Sequence, residues 1–268
     1  MKTLPLAFLL YVACAPAAAA DLAEAQKLWD NKEFARAFQD FSELAGTGNS
    51  AAQLQLGEMY GFGEGTAEDV GKAAYWLGKA AAAGNPEAPQ LLALVQERAA
   101  RKTEIAYYVA HFDGAAVAYA RYACGRPAFP AVSTNNADIG AVNAAVRAWH
   151  DCYGRFVDGL NDAMPVTKTI PPGLLKLMSN AEFVSAGALI SATYTRIGAD
   201  AQRVAEQILA ESEAWKEATN AYVTKSNQQL QAKLEADALL YQRNQRELEE
   251  GRQASTAREN AMKKVPAK

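Results

Sequence analysis

Six residues near the middle of this 268-residue chain carry the side chains that chemistry most often uses: His111, Asp113, Cys124, His150, Asp151 and Cys152. Imidazole nitrogen, carboxylate oxygen and thiolate sulfur together suit a transition metal, and a cysteine beside a histidine suits nucleophilic catalysis. The triplets His111-Phe112-Asp113 and His150-Asp151-Cys152 converge only if two neighbouring helices bring them together. Neither has the ligand spacing of a known metal motif, and GxSxG, HExxH and CxxC patterns are absent from the sequence. The competing reading leaves both triplets as polar residues on helix surfaces. The chain therefore reads as non-catalytic, with no metal or cofactor, and a metal- or thiol-dependent enzyme is the third-ranked alternative.

The cysteines have a simpler use. The opening MKTLPLAFLLYVACAPAAAA reads as a secretory signal, residues 1–20: Lys2, an apolar run from Leu4 to Ala13, then small residues ending at Ala20. The run is far short of the ~20 residues that span a bilayer, and no other segment of the mature chain offers a transmembrane span. Cys14 opens an alternative. It follows Tyr11-Val12-Ala13, a partial match to the signal of an outer-membrane lipoprotein, in which the cysteine would be lipidated instead of removed. With cleavage after Ala20 only Cys124 and Cys152 remain, and an exported protein with two cysteines pairs them. Such a disulfide contributes roughly 3 to 4 kcal/mol in the chain-entropy picture.

Two glycine patterns resemble nucleotide-binding loops and fail on spacing. Gly61-Phe62-Gly63-Glu64-Gly65 is GxGxG and follows a helix, whereas dinucleotide loops follow a strand. Gly65 to Gly71-Lys72 has five intervening residues where a phosphate loop needs four, and Ala73 stands where a metal-binding hydroxyl belongs.

The elements that must position all of these are helices. Ala, Leu, Gln, Glu and Lys dominate, and no stretch alternates apolar and polar residues with β-branched enrichment. The sequence predicts helices over 22–30, 33–45, 50–60 and 69–83, with a fifth from Pro86. Asn49-Ser50 and Asn85-Pro86 serve as starts, Gly46, Gly48 and Gly84 as stops, and Thr66 with Asp69 as a capping box. Helices near 102–122 and 138–160 should form a hairpin around the Pro-rich loop Gly125 to Pro130. Along the first of these, Tyr107, Tyr108, Phe112, Tyr119 and Tyr122 read as core packing, with an exposed sugar- or peptide-contact surface as the alternative.

A 36-residue shift lays Gly48-Asn49 over Gly84-Asn85, Arg36-Ala37 over Lys72-Ala73 and Leu44-Ala45 over Ala80-Ala81, a period that marks stacked helix pairs. In the central copy, Leu56-Gly57, Tyr60, Gly63, Gly65, Asp69, Lys72-Ala73, Trp76, Lys79-Ala80-Ala81 and Gly84 resemble the Sel1-like repeat family, relatives of the tetratricopeptide repeat. Thr66 departs from the family's usual Val. The resemblance covers about 75 residues, one full copy with partial neighbours. It implies a concave helical surface for a protein or peptide partner, as in adaptors and assembly factors, with Tyr60, Phe62, Trp76 and Lys79 as repeat-surface or repeat-core positions. The alternative is that the repeats only pack against the helices that follow.

From Ala199 to Glu250 there is neither proline nor glycine, so about 52 residues could run as one helix of ~78 Å. Tyr194, Ala201, Ile208, Trp215 and Tyr222 recur at seven, with Ile197, Val204 and Ala218 between, and Leu234, Tyr241 and Leu248 form a shifted series. The first half of this helix should pack and the second project. Net charge is −3, or −4 without Lys2, and no basic footprint for nucleic acid is present. The composite expectation is an all-α chain, a short Sel1-like, TPR-like α-solenoid followed by a helical hairpin and a long C-terminal helix. Its divisions are a signal (1–20), the repeat region (21–100), the disulfide-tied hairpin region (101–172), a long coiled-coil-like helical region (173–250) and a disordered tail (251–268). Its function would be that of a periplasmic or secreted adaptor, with a lipid-anchored spacer, or a homo-oligomer formed through the long helix, as the alternative.

Overall fold

The computed structural model describes residues 21–263, with side-chain surroundings to residue 260; the signal, Cys14 and the last five residues lie outside the described residues. The described chain is all-α, without strands. It divides into two compact units, each discontinuous in sequence: Met1–Ala115 with Asp162–Thr195, and Ala116–Asn161 with Arg196–Lys268.

The first unit is built on five helices of similar length: α1 (Leu22–Asp30), α2 (Phe34–Gly46), α3 (Ser50–Phe62), α4 (Val70–Ala82) and α5 (Ala88–Ala100). Local chemistry sets their starts. The Asp21 carboxylate accepts from Ala23 N–H, and the Asn49 side chain from Ala51 and Ala52 N–H. Asp69 caps α4 directly by accepting from Lys72 N–H, which replaces the expected Thr66–Asp69 box. Each helix packs on its predecessor, and α3 also touches α5. Phe41, Leu56 and Met59 are fully buried with Ala25, Ala37 and Ala52, and Leu77 and Val95 with Ala73, Ala80 and Ala88. Each large side chain so buried contributes roughly 1.5 to 3 kcal/mol.

Two glycines permit this packing. A Cβ on Gly57 would lie 2.5 Å from Leu77 Cγ, so only glycine lets α4 approach α3 this closely. Gly65 has φ +73°, and a Cβ there would strike the Phe34 carbonyl.

Beyond α5 the expected helix over 102–122 is broken. A short helix, α6 (Lys102–Ala106), passes into a π-helical turn, Tyr107–His111, and ends at Phe112. Gly114 takes φ +68°, and the Asp113 carboxylate accepts from both Ala115 N–H and the Tyr107 hydroxyl at 2.9 Å. These local bonds compete with helix continuation, and only 3-10 turns follow, Ala115–Val117 and Tyr119–Tyr122. The aromatic residues are thereby divided between the units. Phe112 packs on Tyr194 in the first, and Tyr119 and Tyr122 on Phe156 in the second.

After α7 (Asn136–Ala163) come the short α8 (Val166–Thr169) and α9 (Pro172–Leu175), then α10, a single helix of 84 residues, Asn180–Lys263. It starts nineteen residues before the expected Ala199. Ser179 and Glu182 form a reciprocal capping box: Glu182 N–H donates to Ser179 Oγ, and Ser179 N–H to Glu182 Oε2. Gly187 and Gly198 sit inside the helix at a cost of about 1 kcal/mol each, which tertiary packing outweighs. At the other end the helix passes Gly251 and runs on to Lys263 through Ala254, Ala257, Arg258 and Glu259, where a disordered tail from residue 251 was expected.

In the second unit Cys124 and Cys152 form a disulfide with Cα atoms 5.5 Å apart. Beside it Trp149, Ala205 and Ile208 form a core with Phe129 and Tyr153. Along α10 the buried residues Ile197, Ala201, Ala205, Ile208, Ser212, Trp215 and Thr219 recur at four and three. Ala218 faces outward, and Thr219 takes the inner position expected of it. The swap has a polar cause. Ser133 N–H donates to Thr219 Oγ1 at 3.1 Å while Trp215 Nε1–H donates to Ser133 Oγ at 3.0 Å, so this pair ties the loop before α7 to the helix.

Candidate functional site

The residues of the repeat pattern mostly build the scaffold. Leu56, Gly57, Ala73 and Ala80 are buried, and Ala81 is half-buried. Asp69 caps α4, and Gly63, Gly65 and Gly84 hold positive φ in the turns. Tyr60 and Trp76 are half-buried. Phe38 packs edge-on against Tyr60, the Lys72 ammonium lies 5.2 Å from the Tyr60 ring centroid, and Lys79 sits over Tyr75 and Trp76.

A different set of residues lines the cavities. Leu22, Gln26 and Trp29 on α1, and Ala51, Gln55, Glu58 and Phe62 on α3, recur at three or four and so occupy one face of each helix. Two cavities open along this face. One, of about 470 Å³, is lined by Asp21, Leu22, Ala23, Gln26, Ala51, Leu54 and Gln55. The other, of about 350 Å³, is lined by Trp29, Glu58, Phe62, Glu64, Leu94, Lys176, Met178, Ser179 and Asn180. The two share no lining residue but follow one another along the same face of α1 and α3, the second reaching Leu94 of α5, and so mark out one groove-like strip.

The groove contains polar groups whose needs the fold does not meet. The buried Oε1 of Gln55 accepts no hydrogen bond among the described residues. An unpaired acceptor of this kind costs about 1 to 3 kcal/mol until something donates to it. Burial, with Glu64 and Glu87 nearby, pushes the Glu58 carboxyl above its ordinary range. Burial also raises Glu64, in part offset by the Asn180 backbone N–H and by Arg98.

One buried cation fixes the far end of the groove. Arg98, 3 % exposed, donates to the carbonyls of Gly61 and Leu177, to both carboxylate oxygens of Glu182 and to Glu68, and its guanidinium lies 5.2 Å from the Phe62 ring centroid. It joins the end of α3, the loop before α4, and the segment leading into α10. Burial opposes the charge on Arg98, but Glu182 and Glu68 more than compensate and hold it above its ordinary value.

The chemically suggestive triplets lie elsewhere. His111, Asp113, His150 and Asp151 are exposed, and both sulfurs are committed to the disulfide. Among the described residues no three His, Cys, Asp or Glu side chains gather in a way that could hold a metal, and no helix is long and apolar enough to cross a membrane.

Apart from Phe62, sequence reasoning missed the residues that line the groove. A signal was present in α3, where Gln53 and Gln55 occupy a helix otherwise apolar on most sides. Polar amides at buried positions mark either a structural bond or a site. Gln53 Nε2 donates to the Ala45 carbonyl while its buried Oε1, like that of Gln55, has no partner among the described residues; of the two only Gln55 lines a cavity. Comparison with protein-family models, curated proteins and solved structures gives no match.

Proposed function

We propose that this protein is an exported, non-catalytic adaptor of the Sel1-like helical-repeat type, which holds a segment of a partner protein in the groove along α1, α3 and α5. The observation that carries this reading is an unsatisfied Gln55 amide oxygen beside an apolar-walled cavity of about 470 Å³, large enough for a short peptide stretch. A backbone N–H of an extended or helical peptide would donate to Gln55. Apolar side chains would lie on Leu22 and Leu54, and a basic side chain would reach Glu58 and Glu64. The stacking of α1 to α5 and the dense repeat pattern support the family reading. Export is supported by the signal-like opening and by a disulfide, a bond that persists in oxidising compartments.

The test is photo-crosslinking in the envelope fraction, with a crosslinking amino acid at Gln26 in the groove or at Glu43 on the exposed side of α2. Groove capture predicts discrete adducts from position 26 that are absent from position 43. Identical patterns from the two positions would overturn the reading.

A further inference from the structure

Every residue of α10 from Asn220 to Asn260 is exposed, yet this stretch carries large apolar side chains. Five of the eight, Val223, Leu230, Leu234, Tyr241 and Leu248, are 37, 54, 53, 66 and 59 % exposed, while Tyr222 and Leu240 lie to one side of them and Leu239 on the opposite face. Their spacing of seven, four, seven and seven keeps all five within an arc of about 40° at 3.6 residues per turn, over a length of about 38 Å. The buried stripe of the same helix ends at Thr219, and this exposed one begins four residues later. A solvated helix gains nothing from so narrow an apolar seam, whereas a second helix can cover it. Asn227, Asp237 and Asn244 fill the remaining seam positions, so the covering helix must complement polar groups as well.

We propose that the covering helix is the same segment of a second copy of this chain, antiparallel, about a two-fold axis near Leu239. In that register Leu230 meets the partner's Leu248, and Ala238 and Leu240 each meet their own equivalents. Asp237 faces the partner's Tyr241, whose hydroxyl can donate to the carboxylate. Lys233 lies across from the partner's Glu247, and symmetry repeats each of these contacts. A parallel pair in register would set Asp237 against Asp237 and leave Lys233 opposite alanine. A parallel pair would keep an ion pair of its own, Glu247 with the partner's Arg252, so it is the two facing Asp237 carboxylates that select the antiparallel direction, and the seam's fit to itself that selects a second copy. The seam is narrow and interrupted by Asn and Asp, which places the pairing at the weak, micromolar end of stable interfaces.

The experiment is sedimentation of the full chain from about 1 to 200 μM. A concentration-dependent doubling of mass is expected, and a monomer throughout overturns the proposal. Because the seam is exposed, a Leu230→Ser/Leu234→Ser/Tyr241→Ser variant keeps the fold and should stay monomeric. Lys233→Glu should weaken the dimer about tenfold, and adding Glu247→Lys should restore it to within about twofold. Failure of that restoration overturns the register. In the chain from Asp21, which lacks Cys14 and has its remaining pair joined, single cysteines give the direction: Ala238→Cys should crosslink on oxidation and Leu234→Cys should not. The reverse pattern means a parallel pair and contradicts the proposal.

Discussion

Replacing Arg98 by methionine removes the cation that holds α3, α5 and the start of α10 together while keeping much of its apolar volume. Its side chain is 3 % exposed, against 24 % for Glu182 and 18 % for Glu68, so both carboxylates lose a partner in a half-buried setting. Breaking a buried pair from one side costs roughly 3 to 5 kcal/mol, whereas an exposed pair is worth about 0 to 1. Glu182 keeps the Ser179 N–H, and Glu68 keeps Lys102 at 3.1 Å, so the lower end, about 3 kcal/mol, is expected. For a unit of this size that is a fall in Tm of roughly 10 °C. The assay is thermal and urea unfolding followed by circular dichroism and tryptophan fluorescence, with Trp29 and Trp76 reporting on the first unit. The pH dependence is a second reading of the same bond. Burial pushes the Glu182 carboxyl up, but hydrogen bonds from Arg98 and Ser179 overcome this and hold it below its ordinary range. A depressed carboxylate stabilises fully above its unfolded pKa and loses that contribution as pH falls through the folded value. The gap between wild type and Arg98→Met should therefore be full at pH 7 and close progressively below about pH 4.5. A loss under about 1 kcal/mol at pH 7, or a gap unchanged in acid, would refute the assignment of Arg98 as the clamp.

Three further outcomes follow from the same geometry. Cys124→Ser/Cys152→Ser should lower the stability of the second unit by roughly 3 kcal/mol and leave the first unchanged, as two resolved transitions would show. Gly65→Ala should cost roughly 2 to 4 kcal/mol in urea unfolding, because it combines a positive φ with a steric clash at the Phe34 carbonyl. Glu58→Gln should stabilise the free protein by roughly 0.5 to 1 kcal/mol at neutral pH, since burial disfavours the charged form there, and should weaken binding of a basic peptide. A Glu58→Gln protein that lost stability would show that the carboxylate is structurally satisfied and does not await a partner.

The helices of the repeat region were legible because each is punctuated by strong local signals, such as Asp21, Asn49, Gly48 and Gly84, and by an apolar face that repeats every 36 residues. The disulfide was legible from cysteine number once residues 1–20, with Cys14, are read as a signal. The break at 112–114 was not, since Asp113 and Gly114 act through side-chain bonds that a periodic pattern does not carry. The early start of α10 was written in Ser179-x-x-Glu182, but Gly187 and Gly198 masked it, and only packing decides that two internal glycines are tolerated. Arg98 is the clearest failure. Its role depends on Glu68, Leu177 and Glu182, distant in sequence, and nothing local distinguishes it from an ordinary exposed arginine on a helix.

The most direct test of groove binding is a fluorescence-anisotropy titration of peptides selected by display against the full chain, comparing wild type with Ala51→Trp. The indole obstructs the cavity beside Gln55 from its rim, at a lining residue outside the core, and circular dichroism verifies that the fold is retained. If the groove along α1 and α3 is the binding site, affinity should fall at least about tenfold, the effect of losing roughly 1.4 kcal/mol. Unchanged affinity in a folded Ala51→Trp protein would contradict it.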